Sequence, residues 1–166
     1  MAQMRKIFVA VTAAALLTAA VAVIFSVITV KKTTLVISNA DTNELYAQYE
    51  VQVGEEFSVS FIHSVNLTEV YDYYIVGERE LVCDKCVYSS FGAGMPTEWD
   101  ESWTVSYDNG KITISGLDIH KKEITYFVGT VYDHVLNING QDISLSELCG
   151  KNAHITLKIK ESVCFR

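Results

Sequence analysis

Period-two alternation, in short runs separated by polar turns, is the feature that most limits what this chain can become. Side chains on a strand point alternately to opposite faces, so apolar residues at every second position specify a surface buried on one side. In FSVSFIHSV, Phe57, Val59, Phe61, His63 and Val65 alternate with Ser58, Ser60, Ile62 and Ser64. Candidate strands cover residues 34–38, 46–53, 57–65, 69–76, 80–90, 103–107, 111–115, 124–132, 135–138 and 154–160. Val, Ile, Thr, Tyr and Phe dominate them, which suits a pleated, half-buried surface. Asp108-Asn109-Gly110 and Asn139-Gly140 are strong hairpin turns. The only helical candidate in the body is short, at 144–149, and opens on a Ser-x-x-Glu capping pattern. The expectation is an all-β fold, a compact antiparallel β-sandwich or barrel-like domain.

An N-terminal membrane segment precedes this body. Residues 7–30 carry no charge and lie between Arg5-Lys6 and Lys31-Lys32. At 1.5 Å per residue, about 20 apolar residues cross the hydrocarbon core of a bilayer. A cleaved signal peptide is the competing account, but its apolar region is about 7–15 residues long, and here the run continues through Val30. An uncleaved anchor over 1–32, followed by a β domain over 33–166, is therefore expected. The six-residue tail before the span favours a cytoplasmic N-terminus, with the body outside the cytoplasm.

All 20 acidic residues follow position 32, against nine Lys and Arg there, so the body carries a formal charge of −11. Nucleic-acid binding requires the opposite sign, and docking of the body on an anionic membrane is disfavoured for the same reason.

His63 falls in the apolar phase of its run, and so does His134, which follows Ile124, Tyr126, Val128, Thr130 and Tyr132 in step. A bulge at Gly129 would shift that register. Two accounts are open for this pair. Either they are core histidines satisfied through their ring nitrogens, or they converge with Ser64, Thr68, Asp72 and Asp133 on a polar pocket. His120 and His154 sit among charged or polar neighbours and are expected to be solvated.

HSVNLTEVYDYY, SSFGAGMPTE and GTVYDHVLNINGQDISL together resemble the prokaryotic domain-of-unknown-function family 1850, over about residues 57–145. The resemblance implies an N-terminal membrane segment, a small β-rich extracytoplasmic domain, and genes often found beside TAXI-type TRAP transporters of small organic solutes. Transporter membrane or solute-binding subunits are the partners it suggests. It carries no established activity. The family's His-Ser-Val element maps onto His63, Ser64 and Val65, with Thr68 and Asp72 following. Its Gly-Ala-Gly-Met-Pro element maps onto residues 92–96, and its Asp-His pair onto Asp133 and His134. Both inward-phase histidines thus fall on family motifs.

Gly92 and Gly94 permit close backbone approach, and Pro96 holds Met95 extended. Such a loop either forms an anion-binding nest or simply turns a corner between strands. Cys83, Cys86, Cys149 and Cys164 form an even set in a body expected outside the cytoplasm, so disulfides are the default, with three connectivities. On a regular strand Cys83 and Cys86 face opposite ways, and their mutual bond would need a turn at Asp84-Lys85. One Cys-x-x-Cys without a second pair is weak evidence for zinc, and no metal or cofactor is expected. An enzyme is the less favoured class: Ser64 is adjacent to His63 and points away from it, and no Gly-x-Ser-x-Gly or His-Glu-x-x-His motif is present. The favoured function is an accessory or binding module for a small-solute transporter. The alternative is a structural β-domain that docks a protein partner.

Overall fold

The computed structural model describes residues 17–18, 29–89 and 100–165. The strands are β1 (Thr29–Asn39), β2 (Leu45–Val51), β3 (Glu56–Ile62), β4 (Glu69–Val76), β5 (Leu81–Tyr88), β6 (Thr104–Asp108), β7 (Lys111–Lys121), β8 (Glu123–Phe127), β9 (His134–Ile138), β10 (Gln141–Ser144) and β11 (His154–Phe165). A one-turn helix, α1 (Leu145–Cys149), follows β10. The fold is all-β, with two antiparallel sheets. One has four strands in the order β2-β1-β11-β8, and the other seven in the order β10-β9-β3-β4-β5-β7-β6. Thr33–Glu161 forms one compact unit.

Local chemistry explains most of these boundaries. Asn109-Gly110 and Asn139-Gly140 both take positive φ at both positions, as a two-residue turn between twisted strands requires. Ser144 Oγ accepts the Glu147 N–H at 3.1 Å and so caps α1, as the sequence pattern anticipates.

The strands depart from the alternation pattern in several places, among them β1, which begins at Thr29 and not at 34, and β11, which runs to Phe165 and not to 160. β3 stops at Ile62, and His63 opens a turn in which its own N–H donates to the Thr68 carbonyl and its carbonyl accepts from Leu67. β8 ends at Phe127, so residues 128–132 are connection and not strand. β7 runs on to Lys121, beyond an irregularity where Gly116 and Asp118 take positive φ. β10 was not anticipated, because its four residues lack clear alternation and pair only through the Asn139-Gly140 hairpin.

Leu35, Ile37, Ile155 and Leu157 from the four-stranded sheet pack in one buried cluster with Phe57, Val59, Tyr74, Leu136 and Ile138 from the seven-stranded sheet. Val70, Tyr88, Ile112 and Ile114 form a second cluster. The expected anchor, residues 7–30, lies almost wholly outside the described residues. Among those described, no helix is long and apolar enough to cross a membrane.

Leu157 is fully buried in the shared core. Leu157→Ala should cost about 2–5 kcal/mol through lost burial and the cavity left behind, read as a lower denaturation midpoint at unchanged slope.

Candidate functional site

The β8–β9 connection passes from the four-stranded to the seven-stranded sheet. It is pinned by hydrogen bonds from Val128 N to the Ala153 carbonyl and from Asn152 N to the Val128 carbonyl. Gly129 then allows a tight return, since a Cβ there would overlap the Tyr132 carbonyl oxygen. Beside this loop lies a cleft of about 450 Å³. Phe61, Ile62, His63, Ser64 and His134 line it together with Phe127 and residues 129–132. The two histidines in the apolar phase therefore share one cleft, although His63 reaches it from a turn.

Each imidazole is held through Nδ1. His134 Nδ1 accepts the Gly129 N–H at 3.1 Å, and His63 Nδ1 accepts from Val65 N and Asn66 N, both at 3.3 Å. The His134 ring stacks on Phe61, its cross-strand partner, with centroids 4.8 Å apart and planes within 12°. Tyr126 meets it edge-on at 5.9 Å. Burial holds His134 below the ordinary imidazole range, while the neighbouring Asp133 carboxylate pulls the other way.

The other anticipated residues separate. Ser64 lines the cleft. Thr68 closes the His63 turn through its backbone carbonyl. Asp133 faces α1, where its Oδ1 accepts the Ser146 N–H at 2.9 Å. Burial pushes the Asp133 carboxyl up, but bonds from Ser144, Ser146 and the His134 backbone outweigh it and leave it low. Asp72 lies behind the cleft: Tyr126 donates its hydroxyl to Asp72 Oδ2 at 2.9 Å, and the Cys86 thiol donates to Oδ1 at 3.3 Å. Burial raises the Asp72 carboxyl above its ordinary range against both bonds. Gly92, Gly94 and Met95 lie outside the described residues.

Cys83, Cys86 and Cys149 are free thiols, and the Cys164 side chain lies outside the described residues. β5 is not regular. Asp72 pairs with Cys86 and Tyr74 with Cys83, so Asp84 is the extra residue of a bulge and both cysteines take the Asp72 face. Burial pushes Cys83 and Cys149 up to about 11 and Cys86 higher still, which keeps them protonated at neutral pH. Of the remaining histidines, His120 pairs with Glu80 and Asp118, while His154 stacks on Phe127 at 4.2 Å.

Sequence reasoning did not single out the apolar rim. Val65 and Leu67 on the His63 turn are exposed, as are Phe127, Val131 and Tyr132 at the cleft. Leu67 also takes φ of 55°, a left-handed conformation that a bulky side chain adopts at a cost. Relief of that strain exceeds the added chain entropy of glycine, so Leu67→Gly should raise stability by up to about 1 kcal/mol while removing a rim side chain. Urea unfolding of the two proteins measures it.

The depressed His134 value sets a second expectation. The unfolded chain binds a proton near pH 6.5 and the folded chain only lower, so stability from the neutral ring is full above that pH and falls as pH drops through it. Unfolding midpoints at pH 7.5 and 5.5 should therefore differ more for the wild type than for His134→Asn, a comparison that cancels the opposing titration of Asp72.

A family model described as a domain of unknown function, DUF1850, matches residues 57–145, which is more than half of the chain. Those residues span β3 to the start of α1 and include both cleft histidines, the bulge and the Asp72 cluster. No curated protein and no solved structure matches the chain. The protein belongs to the DUF1850 family.

Proposed function

We propose that this protein is a membrane-tethered accessory module that acts outside the cytoplasm and binds a small solute for a TRAP-type transporter. In this reading the two sheets are the layers of a β-sandwich, and residues 1–32 are the tether. The observation that supports solute binding is the meeting of His63 and His134 on one cleft. Its volume falls in the range of small-molecule sites, which combine apolar walls with a few fixed polar groups. Phe61, Ile62, Phe127 and Val131 supply the walls, and the imidazoles supply the polar groups.

The exposed apolar rim favours a second reading, in which Val65, Leu67, Val131 and Tyr132 seat a transporter subunit. The two readings separate in intact cells expressing the protein with its neighbouring transporter. Under the first, His134→Asn lowers solute uptake several-fold while the protein still co-purifies with the transporter. Under the second, Val131→Ser with Leu67→Ser breaks co-purification and the histidine change is silent. Uptake indifferent to both variants would remove the transporter role.

A further inference from the structure

We infer that Asp72 is a proton-operated latch between the two sheets, closed on Tyr126 when its carboxyl is ionised and released when it is protonated, and that the cleft changes shape with it. Its use as a regulator of solute binding rests on the reading above, while the latch itself rests on the interior cluster. Three donors in that cluster point one way. Tyr126 on β8 donates its hydroxyl to Asp72 Oδ2 at 2.9 Å, and Cys86 on β5 donates its thiol to Oδ1 at 3.3 Å. The Tyr126 hydroxyl lies 2.6 Å from that of Tyr74, and since its own proton goes to Asp72, Tyr74 is the donor of that pair. Such an arrangement suits a carboxylate, which only accepts.

A proton on either oxygen opposes a donor already there. On Oδ2 it faces the Tyr126 hydroxyl, and one of the two must turn away. On Oδ1 it faces the Cys86 thiol, and Tyr126 is left with a neutral acceptor. A charge-assisted bond is roughly twice as strong as a neutral one, so in both cases the tie between the sheets weakens. The domain stays folded meanwhile, because burial makes the ionised carboxyl the costly form and raises it above its ordinary range. The titratable groups facing it among the described residues are Tyr74 on β4, Tyr126 on β8, and Cys83 and Cys86 on β5, with Asp84 and Lys121 acting in turn on Cys83. Burial pushes all four hydroxyls and thiols upward, so of these five groups Asp72 is the one that changes charge on acidification.

Release reaches the cleft through one ring. Tyr126 presents its edge to His134 at 5.9 Å and to Phe61 at 6.4 Å, and both of these line the cleft. β8 is the edge strand of its sheet and pairs with β11 on one side, so Tyr126 can shift without breaking a second ladder. Burial also holds His134 low, which brings the imidazole's protonation towards that of the raised carboxyl. Cleft and latch then respond to the same acidification.

The test uses the full chain in neutral detergent micelles and follows the Asp72 carboxyl carbon and the Phe61 and Tyr126 rings by NMR from neutral to acid pH. Asp72 should titrate above the ordinary aspartate range, and both rings should shift with the same midpoint. The shift should persist in His134→Asn, which separates it from the imidazole's own titration. Asp72→Asn carries one donor and one acceptor group, as the protonated acid does, so its rings should hold their acid positions at every pH. Tyr126→Phe keeps the ring and deletes the tie: Asp72 should still titrate, and Phe61 should no longer follow. That second variant keeps the test decisive if Asp72→Asn fails to fold. A carboxyl that titrates with no response at Phe61, or a Phe61 shift that survives in Tyr126→Phe, would overturn the latch and leave the solute-binding reading in place. The full ring response in a protein whose solute uptake is indifferent to His134→Asn would support the latch and remove that reading.

Discussion

The hydrogen bond from Tyr126 to Asp72 is the interaction on which the rest of the site depends. Asp72 stands on β4 of the seven-stranded sheet and Tyr126 on β8 of the four-stranded one, so the bond crosses the interior between the sheets. A carboxylate in that position is costly unless its lone pairs are occupied, and the thiol of Cys86 takes a second place on it. The Tyr126 hydroxyl also lies 2.6 Å from that of Tyr74, which is itself buried in the core. The Tyr126 ring is thereby fixed, and it presents its edge to His134 and to Phe61. Placement of the cleft's most constrained side chain is thus inherited from a polar cluster that does not line the cleft.

Where backbone preference decides structure, alternation and turn chemistry were enough. The Asn-Gly hairpins, the Ser144 cap and the all-β character are all legible in the sequence. Two of the misplaced boundaries share a physical cause: side chains or small residues that satisfy backbone groups outside a ladder. His63 was placed on a strand because its neighbours alternate, yet its ring bonds to Val65 and Asn66 and makes a turn cheaper than continuation. Gly129 likewise ends β8 by permitting a return that no residue with a Cβ could make.

The candidate site was legible as a pair of histidines and less so in its other members. Asp133 and Asp72 were grouped with the histidines by proximity in sequence or in motif, but a carboxylate goes where donors are. For Asp133 that is the first turn of α1, and for Asp72 the tyrosine and thiol across the core. The Cys-x-x-Cys spacing misled in a similar way. Residues three apart on a strand diverge, but one extra residue at Asp84 turns both thiols to the same side and next to the buried carboxylate. No periodicity argument reveals a bulge of this kind, since Asp84 and Lys85 are ordinary strand-surface residues.

Because the β8–β9 connection changes sheets, the cleft has one wall on each: Phe127 ends a strand of the smaller sheet, and Phe61 and Ile62 end a strand of the larger. A groove carved into a single sheet keeps its width as long as its ladder of hydrogen bonds holds. These walls are joined by the β8–β9 connection and by packing across the core, so no ladder of strand pairing fixes the gap between them. Sliding one sheet against the other by a fraction of a side chain widens or narrows it without breaking a single strand pairing. The width of the cleft then depends on how the two sheets pack against each other and not on the pairing within either one.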